Sequence, residues 1–154
     1  MNHFKMLAAS LLLGAALSGG SAAARAETAP AAPASDARFE TKSFLFATKA
    51  GQKLYLDRIV DGSREVEGKR PVFIYSFGGG WEGGARNEPL MQSFFRHLAE
   101  HGYMVVAIDY RLAIKDAKAK GEFTPANVVP MYQRAIRWGV EDLYDATAFL
   151  LRHA

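Results

Sequence analysis

Two runs of alternating apolar and polar residues open the globular part of the chain. Phe39 to Thr48 alternates imperfectly and is rich in Phe and Thr, which predicts a strand. Lys49-Ala50-Gly51-Gln52 reads as a turn. Lys53 to Val60 reads as a second strand, closed by Asp61-Gly62-Ser63, so the pair forms an antiparallel hairpin. Val66 to Arg70 is a polar connection. Val72 to Phe77 is an unbroken apolar run between Pro71 and Gly78, which fits a strand buried on both faces. Beyond a glycine-rich loop, Pro89 to His101 places Leu90, Met91, Phe94, Phe95 and Leu98 on one helical face. Pro89 suits the first turn of that helix and Gly102 its C′ position. Tyr103 to Ile108 is a second buried strand ending at Asp109. Residues 71–109 therefore predict a βαβ unit, right-handed by the general rule. Arg111 to Val129 reads mostly as loop, with Lys115, Lys118 and Lys120 solvated. A last helix runs from near Met131 to His153, with Ile136, Val140, Leu143, Thr147, Leu150 and Leu151 as its buried stripe. The order predicts an α/β fold: an antiparallel hairpin, a βαβ unit and a helix, on a mostly parallel sheet.

The residues ahead of the hairpin carry a different pattern. Lys5 precedes an apolar run from Met6 to Leu17, the length of a signal-peptide core and shorter than the roughly 20 residues of a membrane span. Ala24-Arg25-Ala26 fits a cleavage site, which predicts Glu27 as the mature N-terminus and export to the periplasm or the extracellular space. Residues 1–26 are thus expected to be a secretory signal, residues 27–38 a Pro/Ala-rich linker, and residues 39–154 the globular domain. No stable membrane span is expected after cleavage.

Composition narrows the chemistry. The 154 residues include no cysteine, which excludes disulfides, cysteine-ligated zinc, iron–sulfur clusters and a thiol nucleophile. The formal charge of +3 owes two of its cations to Lys5 and Arg25, so the rest of the chain is close to neutral and has no electrostatic case for binding nucleic acid.

The candidate chemistry lies in Phe77-Gly78-Gly79-Gly80-Trp81-Glu82-Gly83-Gly84, at the C-terminal end of a predicted parallel strand, where open α/β sheets bind ligands. Adjacent glycines permit positive φ and bring bare backbone N–H groups to a surface, where they can hold an anion, a phosphate or an oxyanion. Gly78, Gly80 and Gly83 satisfy G-x-G-x-x-G, and Asp109 ends the next strand, which keeps a Rossmann-like dinucleotide site as a minor reading. Four residues (Ala85 to Glu88) separate that pattern from the helix it should open, however. A glycine turn that merely lets strand and helix pack is the plain structural alternative.

The segment PVFIYSFGGGWEGG, a helix, and then GYMVVAIDYRL together resemble the carboxylesterase/lipase branch of the α/β-hydrolase fold, the hormone-sensitive-lipase and feruloyl-esterase-like enzymes. That family has an HGGGW-type loop after its third strand. It has a VxxxDYRL segment at its fourth, matched by Val105 to Leu112, and an EDxxAAxxxL helix, matched by Glu141 to Leu150. The resemblance covers residues 39–154. It implies an exported serine ester hydrolase acting on small-molecule or carbohydrate-linked esters, with no cofactor and no metal. The backbone N–H groups of Gly79 and Gly80 would form the oxyanion hole. Trp81 would border the substrate pocket or, equally, anchor the loop by packing. Asp109 and Arg111 would form a structural ion pair at the top of the sheet.

Two departures matter. The family loop usually begins with His, whose ring tethers the loop backbone; here Phe77 fills that place and cannot hydrogen-bond through its side chain. No G-x-S-x-G occurs in the sequence, and none of Ser63, Ser76, Ser93, His97, His101 and His153 is placed to form a triad. The resemblance therefore implies the N-terminal part of an α/β-hydrolase, ending before its nucleophile elbow. A non-catalytic exported binding module is the alternative. The sequence leaves the oligomeric state open.

Overall fold

The computed structural model describes residues 37–153; the expected signal, cleavage site and most of the linker lie outside the described residues. Strand β1 (Phe39–Lys49) turns through Ala50-Gly51 into β2 (Gln52–Asp61), and β3 (Val72–Ser76) follows. Helix α1 (Pro89–Glu100) leads into β4 (Met104–Ile108), and then come α2 (Ala113–Ala119), a 3-10 turn (Pro125–Asn127) and α3 (Val128–His153).

The four strands form one sheet in the order β1-β2-β4-β3. β1 pairs antiparallel with β2, which pairs antiparallel with β4, while β3 and β4 are parallel with Val72 opposite Met104 and Ser76 opposite Ile108. A mostly parallel sheet was expected; these strands form a mixed one. Among the described residues there is a single βαβ unit, and it is the one connection that places two strands parallel.

Alternation along β4 sends its side chains to two cores. Val106 and Ile108 join Leu56 and Ala146 on the α3 side, with Phe44, Ile74 and Phe149 packed around them. Val105 and Ala107 join Ile59 and Phe95 on the α1 side, with Phe73, Tyr75, Met91 and Leu98. Strand β4 is buried on both faces, as its continuous apolar run predicted. Strand β3 is not. Among the described residues it pairs on one side only, Val72 is 45% exposed, and Ser76 is exposed as well.

Helix α1 turns most of its expected face to the sheet, and α3 does not. In α1, Phe95 and Ala99 are buried with Met91 and Leu98 beside them, whereas Leu90 is 90% exposed and Phe94 sits edge-on to Phe73 at the rim. In α3 the buried residues are Ala135, Asp142 and Ala146. Ile136, Val140, Leu143 and Leu151 are exposed, and only Leu150 of the expected apolar stripe packs on a core. Small residues bring α3 close to the sheet, so its bulky residues are left on the flank. The stretch from Arg111 to Val129, read as loop, contains α2 and the 3-10 turn. Ala113, Ile114 and Ala117 bury one face of α2 against Ala135 of α3, and Lys115, Lys118 and Lys120 face solvent as expected.

Candidate functional site

The glycine loop leaves the C-terminal end of β3 with Phe77 buried and Gly78 to Gly80 exposed. Three consecutive residues then take left-handed φ values: Gly79 at 124°, Gly80 at 62° and Trp81 at 61°. Glycine is required twice by space. A Cβ on Gly79 would lie 2.5 Å from the carbonyl oxygen of Gly83, and one on Gly84 would strike the Phe77 ring and the Gly78 carbonyl. At Gly80 the added atom would meet nothing, so only its φ favours glycine there.

The rest of the loop is fixed to its surroundings at several points. The Tyr110 hydroxyl donates to the Phe77 carbonyl oxygen at 2.7 Å, and the two rings stack with centroids 4.4 Å apart. Burial, with the Glu88 carboxylate nearby, raises the Tyr110 phenol above its usual range and keeps it a donor. Within the loop, Glu82 N–H donates to the Gly79 carbonyl oxygen at 3.0 Å, and Lys115 N–H donates to the Trp81 carbonyl oxygen at 3.1 Å. The Glu82 carboxylate pairs with Lys118 at 2.7 Å. At the loop's far end, Arg86 reaches Asp57 on β2 at 3.0 Å and Asp109 beyond β4 at 2.7 Å. Burial opposes the charged guanidinium, but the two carboxylates outweigh it and hold Arg86 above its usual range. Among the described residues, the N–H groups of Gly79 and Gly80 donate to nothing.

Trp81 packs edge-on to Tyr132 and joins the cluster of Ala113, Ile114 and Ala135. Its indole lies against Gly139 of α3, where a Cβ would come within 3.1 Å of Nε1. It also lines a cleft of about 250 Å³ with Phe77, Tyr110, Ile136, Val140 and Leu143. Trp81 thus anchors the loop and borders an apolar cleft at once.

The expected Asp109–Arg111 ion pair is not formed. The chain turns after Ile108, and the two side chains diverge. Asp109 accepts from Arg86 and from Tyr55 N–H at 3.1 Å. Arg111 turns to α3: its Nε lies 3.0 Å from both carboxylate oxygens of the fully buried Asp142, its Nη2 2.8 Å from Glu141, and its guanidinium stacks on Trp138. Burial again opposes the charge, and the hydrogen-bonded carboxylates raise Arg111 above its usual range. The Asp-Tyr-Arg-Leu and Glu-Asp segments therefore meet in space, and their contact fixes α3 to the end of β4. Asp109 has its partners within the fold, and Gly83 lies well ahead of the start of α1 at Pro89; neither suits a dinucleotide site.

Sequence reading missed Arg86, Gly139 and the role of Tyr110. Gly139 carried a signal, since an isolated glycine inside a helix costs about 1 kcal/mol against alanine and so has a packing reason. Arg86 carried none. Among the described residues no serine is hydrogen-bonded to a histidine; Ser63 is held by Asp61, and His97 and His101 lie on the exposed side of α1.

No curated protein matches the chain. Among solved structures, Thermogutta terrifontis esterase 2 matches in two forms, phosphorylated by paraoxon and phosphoramylated by tabun. Each has a TM-score of 0.40 and 21% identity over 46% of this chain and 26% of that chain. The chain thus spans about a quarter of the length of the esterase it matches. The BD-FAE family model matches residues 56–141, from the middle of β2 to Glu141 in α3, and the chain belongs to the BD-FAE family, an esterase-associated family of α/β-hydrolase type.

Proposed function

We propose that the loop from Phe77 to Gly84 is the oxyanion half of a serine carboxylic-ester hydrolase. One observation carries this reading: among the described residues the Gly79 and Gly80 N–H groups are exposed and donate to nothing, on a loop whose Phe77, Gly79 and Trp81 carbonyls are each held by a hydrogen bond. Donors held in place before reaction stabilise a developing oxyanion without reorganising. Membership of the BD-FAE family supports the same chemistry. The nucleophile, base and acid would come from outside residues 1–154, since this sequence holds no G-x-S-x-G. The apolar cleft beside Trp81 suits a small acyl or alcohol group of the ester, carbohydrate-linked esters included. Residues 1–26 would direct export, and Glu27 should be the first residue of exported protein by mass spectrometry.

The test uses the protein in a form that carries its nucleophile. Gly80→Ala keeps the N–H but sets a methyl group in the open space beside it, where the substrate oxygen would sit, and should lower p-nitrophenyl acetate turnover by about 100-fold or more, the loss expected when one oxyanion donor is blocked. Unchanged turnover would remove the loop from the mechanism and favour a non-catalytic binding module.

A further inference from the structure

We infer that Tyr110 is a positioning residue for the glycine loop, supplying from the end of β4 the backbone tether that Phe77 cannot supply from its own side chain. The inference rests on reading the loop as an oxyanion cradle. The Phe77 ring is held between the Tyr110 ring, stacked at 4.4 Å, and the backbone of Gly84, whose missing Cβ leaves room for it. Both ends of the loop, Phe77 and Gly84, thereby close on one ring. The Tyr110 hydroxyl then takes the carbonyl of Phe77, the last peptide group before the glycines. A carbonyl can only accept, so the direction of this bond is set, and with it the orientation of the peptide that leads into Gly78.

Tyr110 can serve as an anchor because its neighbours on both sides are themselves held. Asp109 is bonded to Arg86 and to Tyr55 N–H, and the Arg111 backbone N–H donates to the buried Asp142 at 2.8 Å. The loop is therefore referenced to β2, β4 and α3 through three successive residues. Losing the hydroxyl alone would leave the stack in place and free the Phe77 carbonyl to rotate. The glycines that follow have no side chains to resist that rotation.

The experiment is residue-resolved amide exchange on the protein in the form that carries its nucleophile, wild type against Tyr110→Phe. The reporters are the Glu82 and Lys115 amides, whose acceptors are the carbonyls of Gly79 and Trp81. Both should exchange about 10-fold faster in Tyr110→Phe, while the β4 amides keep their rates. Unchanged rates at Glu82 and Lys115 would overturn the inference. So would a uniform acceleration that includes β4, since that marks a general structural role. No ester enters this measurement. A loop that loosens as expected, beside a Gly80→Ala protein with full turnover, would sink the esterase reading and leave the tether standing.

Discussion

Trp81 sits at φ 61° between two glycines' worth of left-handed backbone and its own packing against Gly139 and Tyr132. A bulky residue in that region costs of order 1–3 kcal/mol and persists only where its surroundings over-determine it. The glycines beside it differ in what they tolerate, and that difference is measurable. Gly80→Ala places its Cβ in open space, so it should cost about 1 kcal/mol for the left-handed backbone alone. Gly84→Ala drives its Cβ into the Phe77 ring and the Gly78 carbonyl, so urea melts should record a loss of about 2–3 kcal/mol or more. Equal costs would mean that Phe77 is not wedged where it is described. Gly79 resembles Gly84, with a carbonyl oxygen 2.5 Å from the added atom, which makes Gly80 the cleaner probe of function. The glycine loop itself was legible from five glycines in seven residues after an apolar run. Which glycines are sterically required was not, because that depends on how the loop folds back on Phe77.

At the scale of elements, the contact that matters most is Arg111 with Asp142, joining the end of β4 to the middle of α3. Removing Asp142 leaves the buried Arg111 with only the half-exposed Glu141 carboxylate as an ionic partner, so Asp142→Ala should cost about 3 kcal/mol in a denaturant melt, the lower end of the cost of breaking a buried pair. A loss below 1 kcal/mol would show that α3 is held by its apolar contacts instead. Both residues stand in motifs visible in the sequence, yet the family resemblance implies pairing Arg111 with Asp109. The turn after Ile108 sends the two apart, and Arg86, the true partner of Asp109, lies in a loop without any periodic pattern. The strands, the βαβ unit and α1 were legible because period and length agree there. The face of α3 was not. Alanines and one buried aspartate form the contact face of α3, and a hydrophobic count passes over both.

On the scale of the described residues as a whole, apolar side chains are left uncovered on both faces of β3: Phe94 stands edge-on to Phe73, and Ile136, Val140 and Leu143 share a cleft with Ser76. Leu90 and Phe94 of α1, Val72 of β3, and Ile136, Val140 and Leu143 of α3 are all exposed, and the backbone edge of β3 beside them is unpaired. An edge strand of five residues without a charge, walled by apolar helix faces, is a template for further pairing. Residues 27–154, prepared alone, should therefore bind ANS strongly and associate as concentration rises. A monodisperse monomer with a sharp cooperative melt and no ANS signal would contradict this and favour the binding-module reading.

The central claim is that Gly79 and Gly80 present their amides to a tetrahedral oxyanion. The most direct measurement is a structure of the nucleophile-bearing protein with a phosphonate bonded to its serine, an adduct that fixes an oxygen where the oxyanion would form. The account predicts that oxygen within about 2.7–3.1 Å of the Gly79 and Gly80 backbone nitrogens. An oxygen directed at other donors, with both glycine amides facing solvent, would contradict it.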